Sequence, residues 1–140
     1  MEGLLFFHSL WRYVVLILLV LSILFAFKGY FLNGPILIGE RKVWIFAVMA
    51  VHIQLLIGLI MYFLRFRLYG ESGQGIFWKY EHAYGMILAV VLITVGRALS
   101  KRARDEKRKQ LLIGVFFLLG LLLMFSLIPW PWSEYPRKWI

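Results

Sequence analysis

With no cysteine in its 140 residues, the chain has only His8, His52 and His82 as strong ligands for a soft metal or a metal-centred macrocycle. Their surroundings differ. In LLFFHSLWRY, His8 is followed four residues later by Arg12, one helical turn along on the same face, where a guanidinium can pair with a carboxylate such as a heme propionate. His82 is preceded by Glu81, able to accept a proton or to pair with Arg12 or Lys79. It is followed at i+3 and i+7 by Gly85 and Ala89, whose small side chains leave room for a flat ligand or permit a close helix contact. His52 has Met49 three residues before it on roughly the same face and Gln54 about 200° away, so Gln54 and His52 do not serve one site.

These side chains must be positioned by membrane-spanning helices. Hydrophobic residues make up 62% of the chain, charged residues 16%, and the mean hydropathy is +0.80, values outside the range of soluble domains. Four apolar runs, at residues 4–27, 43–64, 76–96 and 111–128, are each long enough for a hydrocarbon core of ~30 Å. Short polar connectors then predict a single-domain, all-α, up-down-up-down four-helix bundle. Asn33-Gly34-Pro35 signals a turn, residues 65–75 hold three glycines, residues 101–109 are strongly basic, and Pro129-Trp130-Pro131-Trp132 stops the fourth run. No cleavable leader is expected, since the start of the chain lacks a basic region and the first run has no small-residue cleavage site.

The formal charge of +9 reads as topology rather than as a nucleic-acid footprint, because the basic residues sit at the ends of apolar runs. The first and third connectors carry Lys28, Arg41, Lys42, Arg97, Lys101, Arg102, Arg104, Lys107, Arg108 and Lys109. The other side has only Arg12, Arg65, Arg67, Lys79, Arg137 and Lys138. The positive-inside rule therefore predicts both termini away from the cytoplasm. Trp11, Trp78, Trp130, Trp132 and Trp139 fall on that outer side as an aromatic belt, and Trp44 falls at the cytoplasmic boundary. The basic run at 101–109 is a solvated loop that sets topology; contact with anionic lipid heads is the alternative.

In this topology His8 lies roughly 6 Å, and His82 roughly 9 Å, inside the outer ends of spans one and three, which are diagonal neighbours across the core. Two imidazoles at one depth on diagonal helices bracket a flat iron macrocycle. His52 lies ~18 Å from the outer end, near mid-bilayer, and needs a backbone carbonyl, Ser, Thr or ligand as partner. Plainer readings compete: Trp11, Arg12 and Tyr13 as an interfacial belt with His8 among headgroups, His82 as interfacial after Phe77-Trp78-Lys79-Tyr80-Glu81, and His52 as a structural hydrogen-bond donor. Gly114 and Gly120 read as close-packing points in span four.

At HSLWRY, VHIQLLIG, WKYEH and VGRALSK, which together sample nearly the whole chain, the sequence resembles a family of small four-helix bacterial membrane proteins labelled cytochrome b or cytochrome b-like. The resemblance implies a bacterial inner-membrane location and noncovalent heme b, and points to His8, Arg12, His52, Glu81, His82 and Arg97. It leaves open which two histidines ligate; depth favours His8 with His82. The expected role is a b-type electron carrier exchanging electrons with quinol or a partner redox subunit, with His52 hydrogen-bonding quinone or relaying protons. The alternatives are a cofactor-free accessory or assembly subunit of a larger complex, and a copper- or zinc-handling protein or small channel. No hydrolase triad, phosphate-binding glycine loop, paired catalytic carboxylates or zinc-protease motif is present.

Overall fold

The computed structural model describes residues 2–70 and 73–133. Four helices account for nearly all of them: α1 (Glu2–Leu32), α2 (Ile38–Leu68), α3 (Gln74–Arg102) and α4 (Glu106–Leu127). The last turn of α2, Phe66–Leu68, is 3₁₀, and α3 contains a π-helical segment, Phe77–His82. All four are long and apolar enough to cross a membrane, so the chain is a multi-pass membrane protein. Successive helices are antiparallel neighbours and α4 closes back on α1, which leaves α1 diagonal to α3 and α2 diagonal to α4.

The helices run further than the apolar runs because hydropathy marks hydrocarbon contact and not the end of backbone hydrogen bonding. Lys28 and Tyr30 continue α1, and the break before α2 shrinks to residues 33–37, where Asn33 takes a left-handed φ of 53°. Likewise, the basic run 101–109 is mostly helical. Lys101 and Arg102 finish α3, and Asp105 caps α4 by accepting from the Arg108 amide at 2.6 Å.

Four rows of side chains spaced three or four residues apart form the core, with Val15, Leu19, Ile23 and Ala26 from α1 facing Trp44, Ala47, Ala50 and Val51 from α2. Ala89, Val90 and Ile93 of α3 and Ile113, Phe117 and Met124 of α4 complete it. A Cβ on Gly114 would fall 2.7 Å from Phe27 and one on Gly120 2.7 Å from Ile93, so these glycines are where α4 meets its neighbours closely. The outer surface is apolar too, with Phe63 73% and Leu24 60% exposed, as expected of side chains facing lipid tails.

Tryptophan placement corrects part of the belt expectation. Trp44 is 1% exposed and donates its indole N–H to the Ser22 carbonyl at 3.2 Å, so it is a core residue joining α1 to α2 rather than a boundary residue. Trp11 does the same nearer the termini, donating to the Ala50 carbonyl at 3.0 Å. Trp130 is buried, Trp132 is exposed and stacks on it, and Trp139, Arg137 and Lys138 lie outside the described residues. A buried indole needs an acceptor, and helix carbonyls across a close contact supply it.

The end of the bundle opposite the termini is tied by polar contacts. Lys28 pairs with Glu40 at 3.0 Å, and Gln110, 1% exposed, donates to the Gly34 carbonyl at 3.1 Å. Lys107 donates to Asn33 Oδ1 at 2.8 Å.

Candidate functional site

At the termini end, where α1 and α3 do not touch extensively, the bundle forms a partly open cavity of about 130 Å³. His8 and Arg12 enter it from α1, Gln54, Tyr62 and Arg65 from α2, and Trp78 and His82 from α3. Apolar side chains such as Val15, Leu55, Met86 and Met124 make up the floor, and Ile128 and Pro129 close it from below α4.

Each polar group arrives there for a local reason. His8 fits because residue 58 has no side chain; a Cβ on Gly58 would lie 3.2 Å from the imidazole Cε1. Gln54 donates to the His8 carbonyl at 2.9 Å, which fixes the height of α1 against α2, and among the described residues its buried Oε1 has no hydrogen-bond partner. Arg12 donates to the Tyr13 hydroxyl at 3.0 Å and lies 5.4 Å above the Trp130 ring. Arg65 also lines the cavity, and among the described residues its guanidinium has neither hydrogen bond nor ion pair.

The orientation of His82 comes from the two prolines that end α4. Had the helix continued, the amides of residues 129 and 131 would bond to the carbonyls of Phe125 and Leu127, but proline has no N–H. Side chains replace them: the Trp130 indole donates to the Phe125 carbonyl at 3.0 Å, and His82 Nδ1 lies 2.9 Å from the Leu127 carbonyl. A carbonyl only accepts, so Nδ1 carries the proton and, in the neutral ring, Nε2 carries the lone pair. This is the second-sphere contact that fixes the tautomer of ligating histidines. The π-helical segment Phe77–His82, a distortion common at functional sites, sets Trp78 and His82 on the cavity wall together.

Of the candidate residues, His8, Arg12 and His82 converge, and His52, Glu81, Gly85 and Arg97 do not line the cavity. His52 lies on the exposed outer surface of α2, with Nδ1 2.6 Å from the Val48 carbonyl and Nε2 3.3 Å from Thr94 Oγ1 of α3. Met49 is exposed on the same outer face. One residue turns a helical side chain by about 100°, so Glu81 points to the exposed side, and among the described residues it pairs with neither Arg12 nor Lys79. Lys79 instead is buried, its ammonium 4.5 Å from the Phe66 ring. Gly85 admits the Leu127 side chain and makes a helix contact, not a cavity wall. Gly58 and Arg65 carry no site role in the sequence pattern, and Gln54 enters it only as a residue facing away from His52, which its place on the cavity wall agrees with. Their signal was positional: Gln54, Gly58 and Arg65 are spaced four and seven residues apart on one face of α2.

Among the described residues no three His, Cys, Asp or Glu side chains converge, so the cavity offers a metal two imidazoles at most. No family model, no curated protein and no solved structure matches the chain.

Proposed function

We propose that this chain is a b-type electron carrier of the bacterial inner membrane, binding one noncovalent heme between α1 and α3 and exchanging electrons with quinol or a partner redox subunit. The observation that carries the reading is that His8 and His82, from diagonal helices, line one cavity. The donor set fits the group: the Leu127 carbonyl fixes the tautomer of His82 with its lone pair on Nε2, the walls are largely apolar, and Arg12 and Arg65 supply cationic partners for propionates. A bound heme supplies reversible one-electron chemistry. The chain's own part is to orient the two imidazoles, exclude water with the α2 and α4 side chains, and balance the propionate charge. The excess of basic residues on the 28–42 and 97–109 side supports an orientation with both termini, and the cavity, away from the cytoplasm.

The absorption spectrum of the purified protein tests this. A Soret band that shifts on reduction is expected, lost in His8→Ala and in His82→Ala and kept in His52→Ala. A colourless preparation that also fails to bind added hemin overturns the reading.

A second reading, a cofactor-free accessory or assembly subunit, is favoured by two observations. His52 and His82 both make hydrogen bonds to backbone carbonyls that a purely structural histidine would make. The cavity, at about 130 Å³, resembles in size a void of ~150 Å³ that accepts benzene, so a macrocycle has to part the walls. A colourless protein whose melting is unchanged by hemin supports this reading.

A further inference from the structure

His52 is the one histidine among the described residues that is exposed, and its hydrogen bonds can be counted atom by atom. Its Nδ1 lies 2.6 Å from the Val48 carbonyl, so Nδ1 carries the proton and, in the neutral ring, Nε2 carries the lone pair. Thr94 Oγ1 lies 3.3 Å from that Nε2, yet its hydroxyl donates to the Val90 carbonyl at 2.7 Å, the shorter of its two contacts. Each side chain thus spends its proton on the carbonyl four residues back in its own helix. Two acceptors, an imidazole nitrogen and a hydroxyl oxygen, are left facing each other across the seam between α2 and α3.

Both side chains are exposed, so a donor to this pair has to come from outside the bundle. A second proton on the imidazole would serve, but it puts a charge among lipid tails, which is costly. A second copy of the chain brings the same two acceptors to this face, so the face does not complement itself. Depth narrows the choice. From Arg41, near the loop end of α2, His52 is 11 residues or ~16 Å inward, about half of a ~30 Å hydrocarbon core, and hydroxyls anchored at lipid headgroups do not reach it. What fits is an O–H carried by an apolar molecule dissolved in the bilayer. The α2–α3 seam is also the least closely packed of the four between neighbouring helices, so a flat ring meets the least resistance there. Exposed Met49 and Ala98 lie one turn to the loop side of the pair, and exposed Leu56 and Val91 one turn to the termini side.

We propose that this acceptor pair binds a membrane quinol, whose hydroxyl donates to His52 Nε2 and Thr94 Oγ1 together, and that it rejects the oxidised quinone. The quinol supplies the O–H; the quinone has only carbonyl acceptors, which add a third lone pair to the two already opposed. Choosing a redox-active hydroxyl over any other apolar alcohol rests on the electron-carrier reading above. The site itself is on the outer face of α2, about 200° around the helix from the cavity residue Gln54, and does not use the cavity.

The test uses the full chain in nanodiscs under argon, with decylubiquinol and decylubiquinone as probes. Binding is read from native mass spectra and from the ring-nitrogen resonances of His52. The quinol should bind about tenfold more tightly than the quinone, the worth of one hydrogen bond, and shift the Nε2 resonance. His52→Phe should bring that ratio close to one, and Thr94→Val should lower it roughly threefold. Ser126→Ala, which removes an exposed hydroxyl from α4, should leave it unchanged. Equal binding of quinol and quinone, or a ratio unchanged in His52→Phe, overturns the site. Decanol binding as tightly as the quinol overturns the quinol as its ligand. A wild-type dimer that His52→Phe turns into a monomer makes this face a subunit contact and also overturns the proposal. The Soret band is a separate readout: protein that binds heme without the quinol preference loses this site and keeps the electron-carrier reading, and protein with the preference but no heme does the reverse.

Discussion

At the scale of single residues, the termini end of the bundle is organised by groups whose ordinary partners are missing. Pro131 deprives the Leu127 carbonyl of an amide, and His82 satisfies it; Gly58 gives up a side chain, and the His8 ring occupies the space. Two outcomes follow. Gly58→Val should push against the His8 ring and cost about 1–3 kcal/mol, read as a lower melting temperature, and in a heme-loaded protein as a shifted Soret band. His82→Ala removes the donor to the Leu127 carbonyl and should destabilise the protein by roughly 1–3 kcal/mol even without any cofactor, as measured by thermal or denaturant unfolding. His52→Ala loses two solvent- or lipid-facing contacts, to the Val48 carbonyl and Thr94 Oγ1, and a melting change as large as that of His82→Ala would contradict the placement of these two residues. Glu81 is a useful contrast, since its neighbour His82 was conspicuous in the sequence and carried it along; a helix separates adjacent residues by about 100°, and only one of the two reaches the cavity.

At the scale of elements, the contacts between helices rest on small residues and on indole-to-carbonyl bonds rather than on charge. Gly120→Leu should force α4 away from Ile93 and the Ala89 carbonyl and destabilise the bundle by about 1–3 kcal/mol, checked by the melting temperature in detergent. Such close-packing glycines were readable in advance, because a glycine inside an apolar span has few other uses. The helix ends were not. Hydropathy ended the first run at residue 27 and α1 ends at Leu32; the basic run at 101–109 looked like a loop and is mostly two helix ends around residues 103–105. Lysine and arginine are good helix formers, and beyond the hydrocarbon boundary their charge has no bearing on whether the backbone bonds continue.

At the scale of the whole molecule, the two ends of the bundle differ in character. The termini end holds a cavity bordered by two imidazoles and two guanidinium groups, and the opposite end is drawn shut by Gln110 and the Lys28–Glu40 pair. Gln110→Ala leaves the Gly34 carbonyl without its donor and should cost roughly 1–3 kcal/mol, with faster amide exchange in residues 33–37 as the local signature. A proteolysis assay on sealed inside-out vesicles checks the orientation: tags at either terminus should be protected, and the 101–109 segment should be cut.

Composition, the lengths of four apolar runs and the turn residues between them were enough to determine the class of this protein. In a bilayer each backbone polar group must be satisfied within its own segment, which leaves a bundle of helices as the answer for four such runs. That His8 and His82 lie toward the same end of the bundle also followed from counting residues, since rise per residue is constant along a helix. Which side chains share a space depended on how each helix is rotated about its axis. Tertiary packing set that rotation, turning Gln54 and Arg65 inward, His52 and Glu81 outward, and Gly85 against Leu127. Spans that are apolar around their whole circumference carry little periodic signal of which face is inside, so the facing was decided only when the glycines, the indoles and the proline-ended α4 met their partners.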